Sequence, residues 1–273
     1  MSDLCTGVEI IDAQPGHRCV DGLALLPGHL FVLRGTCLNI YSCPDLTQRV
    51  PGSGYNLLRN VDVSQLDEDS WNDLVSCEQS ASLFISDHRH QCVYSMGFPT
   101  DTEVFSKLAD VPHSPHGLSL TGDLTLLLTC RNDHMLIEIS QTGEFLREIG
   151  LPGDIGCPYH AVQLTPGQFV VCYGTTGSDG HHGVSVVDSQ RGIMEHSFTQ
   201  LRYPSHVSID ENNKCIFVSD YQHHRVVRLN FSLEVSDAIV KTNDCPWRLC
   251  LDHVSRKLFI GLEDGSVRIL QLS

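Results

Sequence analysis

The chain has 273 residues, a formal net charge of −15 and 41 % hydrophobic residues. This length fits one closed β domain with a sizeable core, while the acidic charge disfavours binding to phosphate backbones. Apolar runs fall well short of the ~20 residues that span a bilayer. Because residues 1–5 contain no basic segment followed by an apolar one, we expect no signal peptide, no membrane anchor and a cytoplasmic location.

The predicted elements begin with a strand at residues 7–12, after which a repeating pattern of short strands takes over. Each repeat contains three or four strands with period-two alternation, Val, Ile and Phe enrichment, and turns rich in Gly, Asn and Asp, which are strand and hairpin signals. The repeats begin near residues 20, 58, 114, 158, 203 and 245. This spacing suits a four-stranded propeller blade of roughly 40–50 residues.

The two ends of the chain complement each other. The last repeat stops after three strands, and the strand at residues 8–12 has no partner of its own. Pairing that strand outside residues 266–270 would complete the last blade and hide two sheet edges. We therefore predict one all-β domain over residues 1–273, a six-bladed β-propeller closed by its N-terminal strand.

The second repeat is longer than the others. With its first strand predicted to begin at Asn60, residues 64–78 become an acidic insertion that contains Trp71. Such a segment is either a solvated surface loop or a partner-binding loop, because long loops on rigid scaffolds often carry function.

One segment resembles a known family. Residues 218–227 read VSDYQHHRVV, similar to the core of an NHL repeat, and residues 204–210 resemble the segment that precedes this core, with His206 in place of Gly. Residues 85–93 form a second, fainter copy. The pattern is most similar to the C-terminal propellers of tripartite-motif proteins, which implies a propeller that selects protein or RNA partners. In that family separate RING and B-box zinc modules transfer ubiquitin, and their cysteine patterns are absent from this sequence.

Propeller ligands favour the mouth of the central channel, where the innermost strands begin. Aligning the six repeats places polar and aromatic residues at that mouth, and we take these as candidate binding residues: Asn60, His116, Tyr159, His160, His206, Trp247 and Arg248. Three interpretations stay open. The side chains plug the channel by bonding one another, bind a ligand or partner, or hold a metal such as zinc.

The sequence favours a non-catalytic protein-interaction platform, such as the substrate-recognition propeller of a tripartite-motif-like ubiquitin ligase system. One alternative is RNA binding through a small local basic patch. The other is a metal-dependent propeller enzyme. Residues 115–119 resemble a zinc-binding segment of peptide-amidating lyases, but His116 is the only residue that matches one of their metal ligands. A calcium site of the lactonase type would have only Asn60 as a ligand. We expect a protein or peptide partner, a monomer, and neither cofactor nor metal.

Twelve cysteines are spread along the chain without a C-x-x-C pair. Most lie in apolar strand segments, so we expect buried, reduced thiols and no zinc cluster built from cysteines.

Overall fold

The computed structural model describes residues 5–14, 19–43, 54–66, 72–99, 104–175 and 181–272. These residues form six four-stranded antiparallel sheets arranged as the blades of one ring. The predicted six-bladed β-propeller is therefore confirmed.

Each blade consists of consecutive strands numbered from the channel outward, except the sixth. Blade 1 contains β2 (Gly22–Leu26), β3 (His29–Arg34), β4 (Cys37–Ser42) and β5 (Leu57–Asp62). Blade 2 contains β6 (Asn72–Cys77), β7 (Ser82–Asp87), β8 (Cys92–Gly97) and β9 (Ser106–Asp110). Blade 3 contains β10 (Pro115–Leu120), β11 (Leu126–Cys130), β12 (Met135–Ile139) and β13 (Phe145–Gly150).

Blades 4 to 6 repeat the pattern. Blade 4 contains β14 (Pro158–Thr165), β15 (Gln168–Gly174), β16 (His182–Asp188) and β17 (Ile193–Phe198). Blade 5 contains β18 (Pro204–Asp210), β19 (Cys215–Asp220), β20 (Arg225–Asn230) and β21 (Val235–Lys241), with a 3-10 turn at Tyr221–His223. Blade 6 contains β22 (Pro246–Asp252), β23 (Lys257–Leu262), β24 (Val267–Leu272) and β1 (Cys5–Ile11).

The ring closes through β1, as the sequence predicts. This strand pairs antiparallel with β24, with Glu9 opposite Ile269 and Ile11 opposite Val267. Ile11 is buried in the core between blades 6 and 1, whereas Ile10 on the other face of the strand is exposed. Closure therefore contributes apolar packing as well as backbone hydrogen bonds.

The predicted start of blade 2 is wrong. Asn60 lies on β5, the outermost strand of blade 1, where it pairs with Asn39. The innermost strand of blade 2 is β6, so residues 72–77 belong to the sheet and not to the predicted insertion at 64–78. The connection runs between two blades, and its residues 67–71, including Trp71, lie outside the described residues.

The innermost strands of neighbouring blades pack closely, and two glycines permit this. A Cβ atom on Gly22 would lie 2.4 Å from the Cβ of Leu74, and one on Gly117 would lie 2.6 Å from the carbonyl oxygen of Tyr159. Neither separation is sterically tolerable, so glycine at these positions allows the inner strands to approach and line a narrow channel.

A buried aspartate stabilises the turn that follows the second strand in blades 2 and 5. Asp87 accepts hydrogen bonds from the backbone N–H groups of Arg89 and His90, both at 3.0 Å. Asp220 contacts Nδ1 of His223 in its turn at 2.8 Å and pairs with the Arg225 guanidinium at 2.5 Å. The aspartates of the repeated sequence pattern thus order turns on the channel-mouth side.

Two further expectations concern cysteines and membranes. Every cysteine whose side chain the structure describes is a free thiol. Among the described residues, no helix has the length and apolar character needed to cross a membrane.

Candidate functional site

Each innermost strand places one residue at an equivalent position at the start of the central channel. Strand pairing identifies this position, since Gly117 pairs with Thr129, His160 with Cys172 and Arg248 with Gly261 in their respective blades. Around the ring the position is occupied by Gly22, Asp73, Gly117, His160, His206 and Arg248. One carboxylate, two imidazoles and one guanidinium therefore converge from four blades.

Asp73 and Arg248 form the charged centre of this ring. The Arg248 Nε lies 3.3 Å from Asp73 Oδ1, and both side chains are only 1 % exposed. The guanidinium also donates to the carbonyl oxygens of Asp21 at 2.6 Å and Asn72 at 2.8 Å. The carboxylate accepts the backbone N–H groups of Leu118 and Leu74 at 3.0 and 2.9 Å. Each buried charge is therefore paired and hydrogen-bonded, as burial requires.

His160 and His206 lie beside the same carboxylate. Their Nε2 atoms are 3.6 and 3.8 Å from Asp73 Oδ2, and their rings stack with centroids 3.7 Å apart at an angle of 23°. His160 Nε2 also lies 3.3 Å from the carbonyl oxygen of Leu118. Among the described protein atoms, neither Nδ1 has a hydrogen-bond partner.

Burial sets the protonation states of this cluster. It lowers the pKa of His160 to about 3 and that of His206 well below its ordinary range, and the positive charge of Arg248 adds to both shifts. Burial raises the pKa of Asp73 to about 6, against the opposing effect of Arg248. At neutral pH the cluster therefore contains an ionised Asp–Arg pair and two neutral histidines.

Asp73, His160 and His206 could offer one oxygen and two nitrogens to a metal, because these atoms lie within 4.8 Å of one another. Carboxylate and imidazole are suitable zinc ligands. Two features oppose a cation here. Arg248 already neutralises the carboxylate, and Asp73 accepts two backbone N–H groups that hold it in place. The geometry favours a hydrogen-bonded ion pair over a metal centre.

Aromatic rings lie across the channel mouth, above this cluster. We use the term aromatic belt for Tyr221, Trp247, His116 and Tyr159, which meet edge to face at centroid distances of 5.3, 6.5 and 5.4 Å in that order. Tyr221 and Trp247 are partly exposed, whereas His116 and Tyr159 are buried. The Arg131 guanidinium covers the Tyr159 ring at 4.6 Å and donates to its hydroxyl at 3.1 Å.

The structure brings six of the seven candidate residues together: His116, Tyr159, His160, His206, Trp247 and Arg248. Asn60 is not among them, since it is exposed on the outer edge of blade 1 and accepts a hydrogen bond from Asn39 Nδ2 at 2.7 Å. Its predicted place is taken by Asp73, which sequence reasoning assigned to the insertion. Hairpin length could have identified Asp73, because a short hairpin joins Asp73 to its partner Ser86, as it joins Gly117 to Thr129.

Known proteins are similar to this chain in structure but not in sequence. No family model matches the chain, and no curated protein sequence matches it. Among solved structures, virginiamycin B lyase from Staphylococcus aureus superposes with a TM-score of 0.62 at 11 % identity, over 98 % of this chain and 99 % of the lyase. A streptogramin B lyase structure gives 0.65 at 10 % identity over all of both chains.

A propeller of a different kind is equally similar. The WD40 β-propeller domain of Doa1 superposes with a TM-score of 0.64 at 12 % identity, over 97 % of both chains. What these proteins share with the chain is the fold. Because both enzymes and a WD40 domain superpose equally well, the fold leaves open whether the chain is catalytic.

Proposed function

We propose that the chain is a non-catalytic protein-interaction platform that binds a protein or peptide segment over its channel mouth. The observation that carries this proposal is the aromatic belt, which joins rings from blades 3 to 6 into one supported surface. Tyr221 and Trp247 present part of their area to solvent, and Arg131 covers the ring of Tyr159 at the other end of the belt. Trp, Tyr and Arg are the residue types most enriched at interface hot spots.

Rigidity supports the same proposal. Trp247 contacts the buried Arg248 guanidinium at 5.1 Å, and its carbonyl oxygen accepts a hydrogen bond from Ser205 at 3.0 Å. A partner that docks here loses little free energy to the ordering of this surface, because the rings are already fixed.

The burial of the acid and base groups beneath the aromatic belt argues against a catalytic role for them. Asp73 is bound by two backbone N–H groups and Arg248, and its side chain is 1 % exposed. A general base must reach a substrate proton within hydrogen-bond distance. The cluster is better suited to fastening the blades at the channel.

A metal-dependent or lyase-type enzyme is the second candidate, on two observations. Asp73, His160 and His206 form a three-residue group with ligand chemistry, and the structures similar to this chain include lyases. Substitution of His206 by Gln would abolish any such activity. It leaves the aromatic belt intact, so it separates this candidate from the platform.

The proposal also covers the location and pathway in which the chain acts. The NHL-like segment at residues 218–227 suggests a cytoplasmic propeller that selects substrates for a ubiquitin-transfer module. RNA is the less favoured partner because the net charge is −15.

Affinity capture from lysate tests the platform. We compare the unmodified chain with Trp247→Ala and with Val254→Ala, a control at a 95 % exposed residue in the hairpin between β22 and β23. Trp247→Ala should lose a nuclease-resistant set of protein partners that Val254→Ala retains, with both variants folded. Identical partner sets for all three proteins would reject the channel mouth as the binding surface.

A further inference from the structure

A second group of metal-binding side chains lies at the junction of blades 5 and 6, outside the channel. His224 follows the 3-10 turn Tyr221–His223. Asp244 and Cys245 precede β22, and Glu263 follows β23. His224, Asp244 and Cys245 come together in one group, and the Glu263 side chain is hydrogen-bonded to Cys245.

The distances already approach those of a bound metal. His224 Nδ1 lies 3.8 Å from Cys245 Sγ, and one ligand atom from each of His224, Asp244 and Cys245 falls within 4.8 Å of the others. In a tetrahedral zinc site, bonds of about 2.3 Å to sulfur and 2.0–2.1 Å to nitrogen separate those two ligand atoms by roughly 3.6 Å. The separation of His224 Nδ1 from Cys245 Sγ is thus within a few tenths of an ångström of that value, and Asp244 offers a third ligand atom within 4.8 Å of both.

Backbone hydrogen bonds hold the three segments in register. His224 adopts a left-handed conformation at φ 50°, and its N–H donates to the Tyr221 carbonyl at 3.2 Å. Its own carbonyl accepts the N–H of Thr242 at 2.9 Å, and the Cys245 carbonyl accepts the N–H of Glu263 at 3.0 Å. The ligand-bearing backbone is therefore fixed before any ion binds, which lowers the entropic cost of binding.

The charges of the group are unbalanced. Within the described residues, neither Asp244 nor Glu263 forms an ion pair with a Lys, Arg or His side chain. Asp244 Oδ1 accepts the N–H of Cys245 at 2.8 Å, so its second oxygen is available to a ligand. Two carboxylates beside a thiol and an imidazole favour a divalent cation.

We propose that His224, Asp244 and Cys245 bind a zinc-type divalent cation, with Glu263 as the neighbouring carboxylate that completes or borders the site. Sulfur, imidazole and carboxylate together select zinc over calcium or magnesium, which prefer oxygen ligands. Binding replaces the thiol proton, which passes to solvent, and forms a metal–thiolate bond. The site adjoins the aromatic belt, because the Tyr221 side chain is hydrogen-bonded to Glu263 and Cys245, but the proposal does not depend on partner binding. Cysteine spacing gave no sign of it, since its ligands come from three segments.

Titration of the reduced full chain with Co²⁺ tests the site. Tetrahedral Co²⁺ bound to one thiolate produces visible d–d bands together with a thiolate-to-cobalt charge-transfer band in the near ultraviolet. We expect both bands to saturate at one equivalent of Co²⁺ per chain and to disappear when Zn²⁺ is added. His224→Ala should weaken Co²⁺ binding ~10-fold or more, and Cys245→Ser should abolish the charge-transfer band.

Two controls separate this site from the other cysteines and histidines. Cys157→Ser removes a partly exposed thiol from the same side of the ring, and His223→Ala removes the neighbouring imidazole, which is bonded to Asp220. Both should keep the full spectrum. If Cys245→Ser fails to fold, His224→Ala remains decisive, because that side chain is exposed. Absence of the charge-transfer band in the unmodified chain, or an unchanged affinity in His224→Ala, would overturn the proposal.

Discussion

Arg248 of blade 6 lies 3.3 Å from Asp73 of blade 2, so the two residues face each other across blade 1. The same guanidinium donates to the carbonyl oxygens of Asp21 and Asn72, which precede and begin the inner strands of blades 1 and 2. One side chain thus connects the blade that closes the ring to the first two blades.

Replacing Arg248 by Met should destabilise the propeller strongly. The change keeps much of the side-chain volume but leaves the Asp73 carboxylate buried without its cation, and breaking a buried pair in this way costs about 3–5 kcal/mol. Urea unfolding followed by circular dichroism measures the loss. The double variant Arg248→Met with Asp73→Asn should recover part of it, because no uncompensated charge remains. Equal stability of Arg248→Met and the unmodified chain would show that the pair is unimportant.

Acidification should destabilise the chain through its buried histidines. Burial lowers the pKa of His160 to about 3 and that of His206 and His116 well below the ordinary value. In the unfolded chain each titrates near 6.5, so their contribution to stability is complete above that pH and is lost as the pH falls below it. Asp73 and Asp21 have the opposite effect. Burial raises each pKa to about 6, so the folded chain binds these two protons more readily than the unfolded chain and gains stability as the pH falls. Three histidines outweigh two carboxylates, so the net effect is destabilising.

Urea unfolding at pH 7.5 and pH 5 tests this dependence. The unmodified chain should have a lower free energy of unfolding at pH 5 than at pH 7.5. In His206→Gln this decrease should be smaller by about 2 kcal/mol. Gln suits the position because it stays neutral at both pH values. A pH dependence unchanged by His206→Gln would mean that this histidine is protonated in the folded state.

The repeated strand pattern of the sequence predicted three of the four polar residues that meet in the channel. His160, His206 and Arg248 each stand at the start of an alternating strand that a short hairpin joins to the next, so the repeat revealed their equivalence. Asn60 also stands at the start of an alternating pattern, but that pattern belongs to an outer strand, and alternation alone does not distinguish inner from outer strands. Asp73 was overlooked because its acidic surroundings resemble a solvated loop.

Contacts between residues of different blades could not be predicted from the sequence pattern. The stacking of His160 on His206 and the reach of Arg248 to Asn72 depend on how inner strands pack around the channel. The cluster of His224 with Cys245 likewise arises from the junction of two blades. No periodicity within one strand encodes such distances.

Ring closure can be tested at two neighbouring isoleucines of β1. Ile11 is 8 % exposed and packs into the core, whereas Ile10 is 55 % exposed. Ile11→Ala should therefore cost about 2–4 kcal/mol, as large-to-small changes in cores do. Ile10→Ala is the matched control and should shift stability by less than about 0.5 kcal/mol. Equal unfolding midpoints for the two variants would indicate that β1 contributes no packing to the closed ring.

The narrowness of the channel is tested at Gly117. A methyl group there would lie 2.6 Å from the Tyr159 carbonyl oxygen and 3.0 Å from His160 Cδ2. Because the nearest obstacle is backbone, blade 4 must shift as a unit, and we expect Gly117→Ala to cost about 1–3 kcal/mol, as overpacking typically does. Gly150→Ala is the matched control, since a Cβ there meets nothing within 4 Å.

The same substitution reports on the histidine pair. A shift of blade 4 would separate the His160 ring from His206 and admit water, so the pKa of His160 should rise toward its ordinary value. Nuclear magnetic resonance of the imidazole protons during a pH titration would detect this change in Gly117→Ala and its absence in Gly150→Ala. If Gly117→Ala neither lowers stability nor moves the His160 titration, the inner strands have more room than the close approach at Gly117 implies.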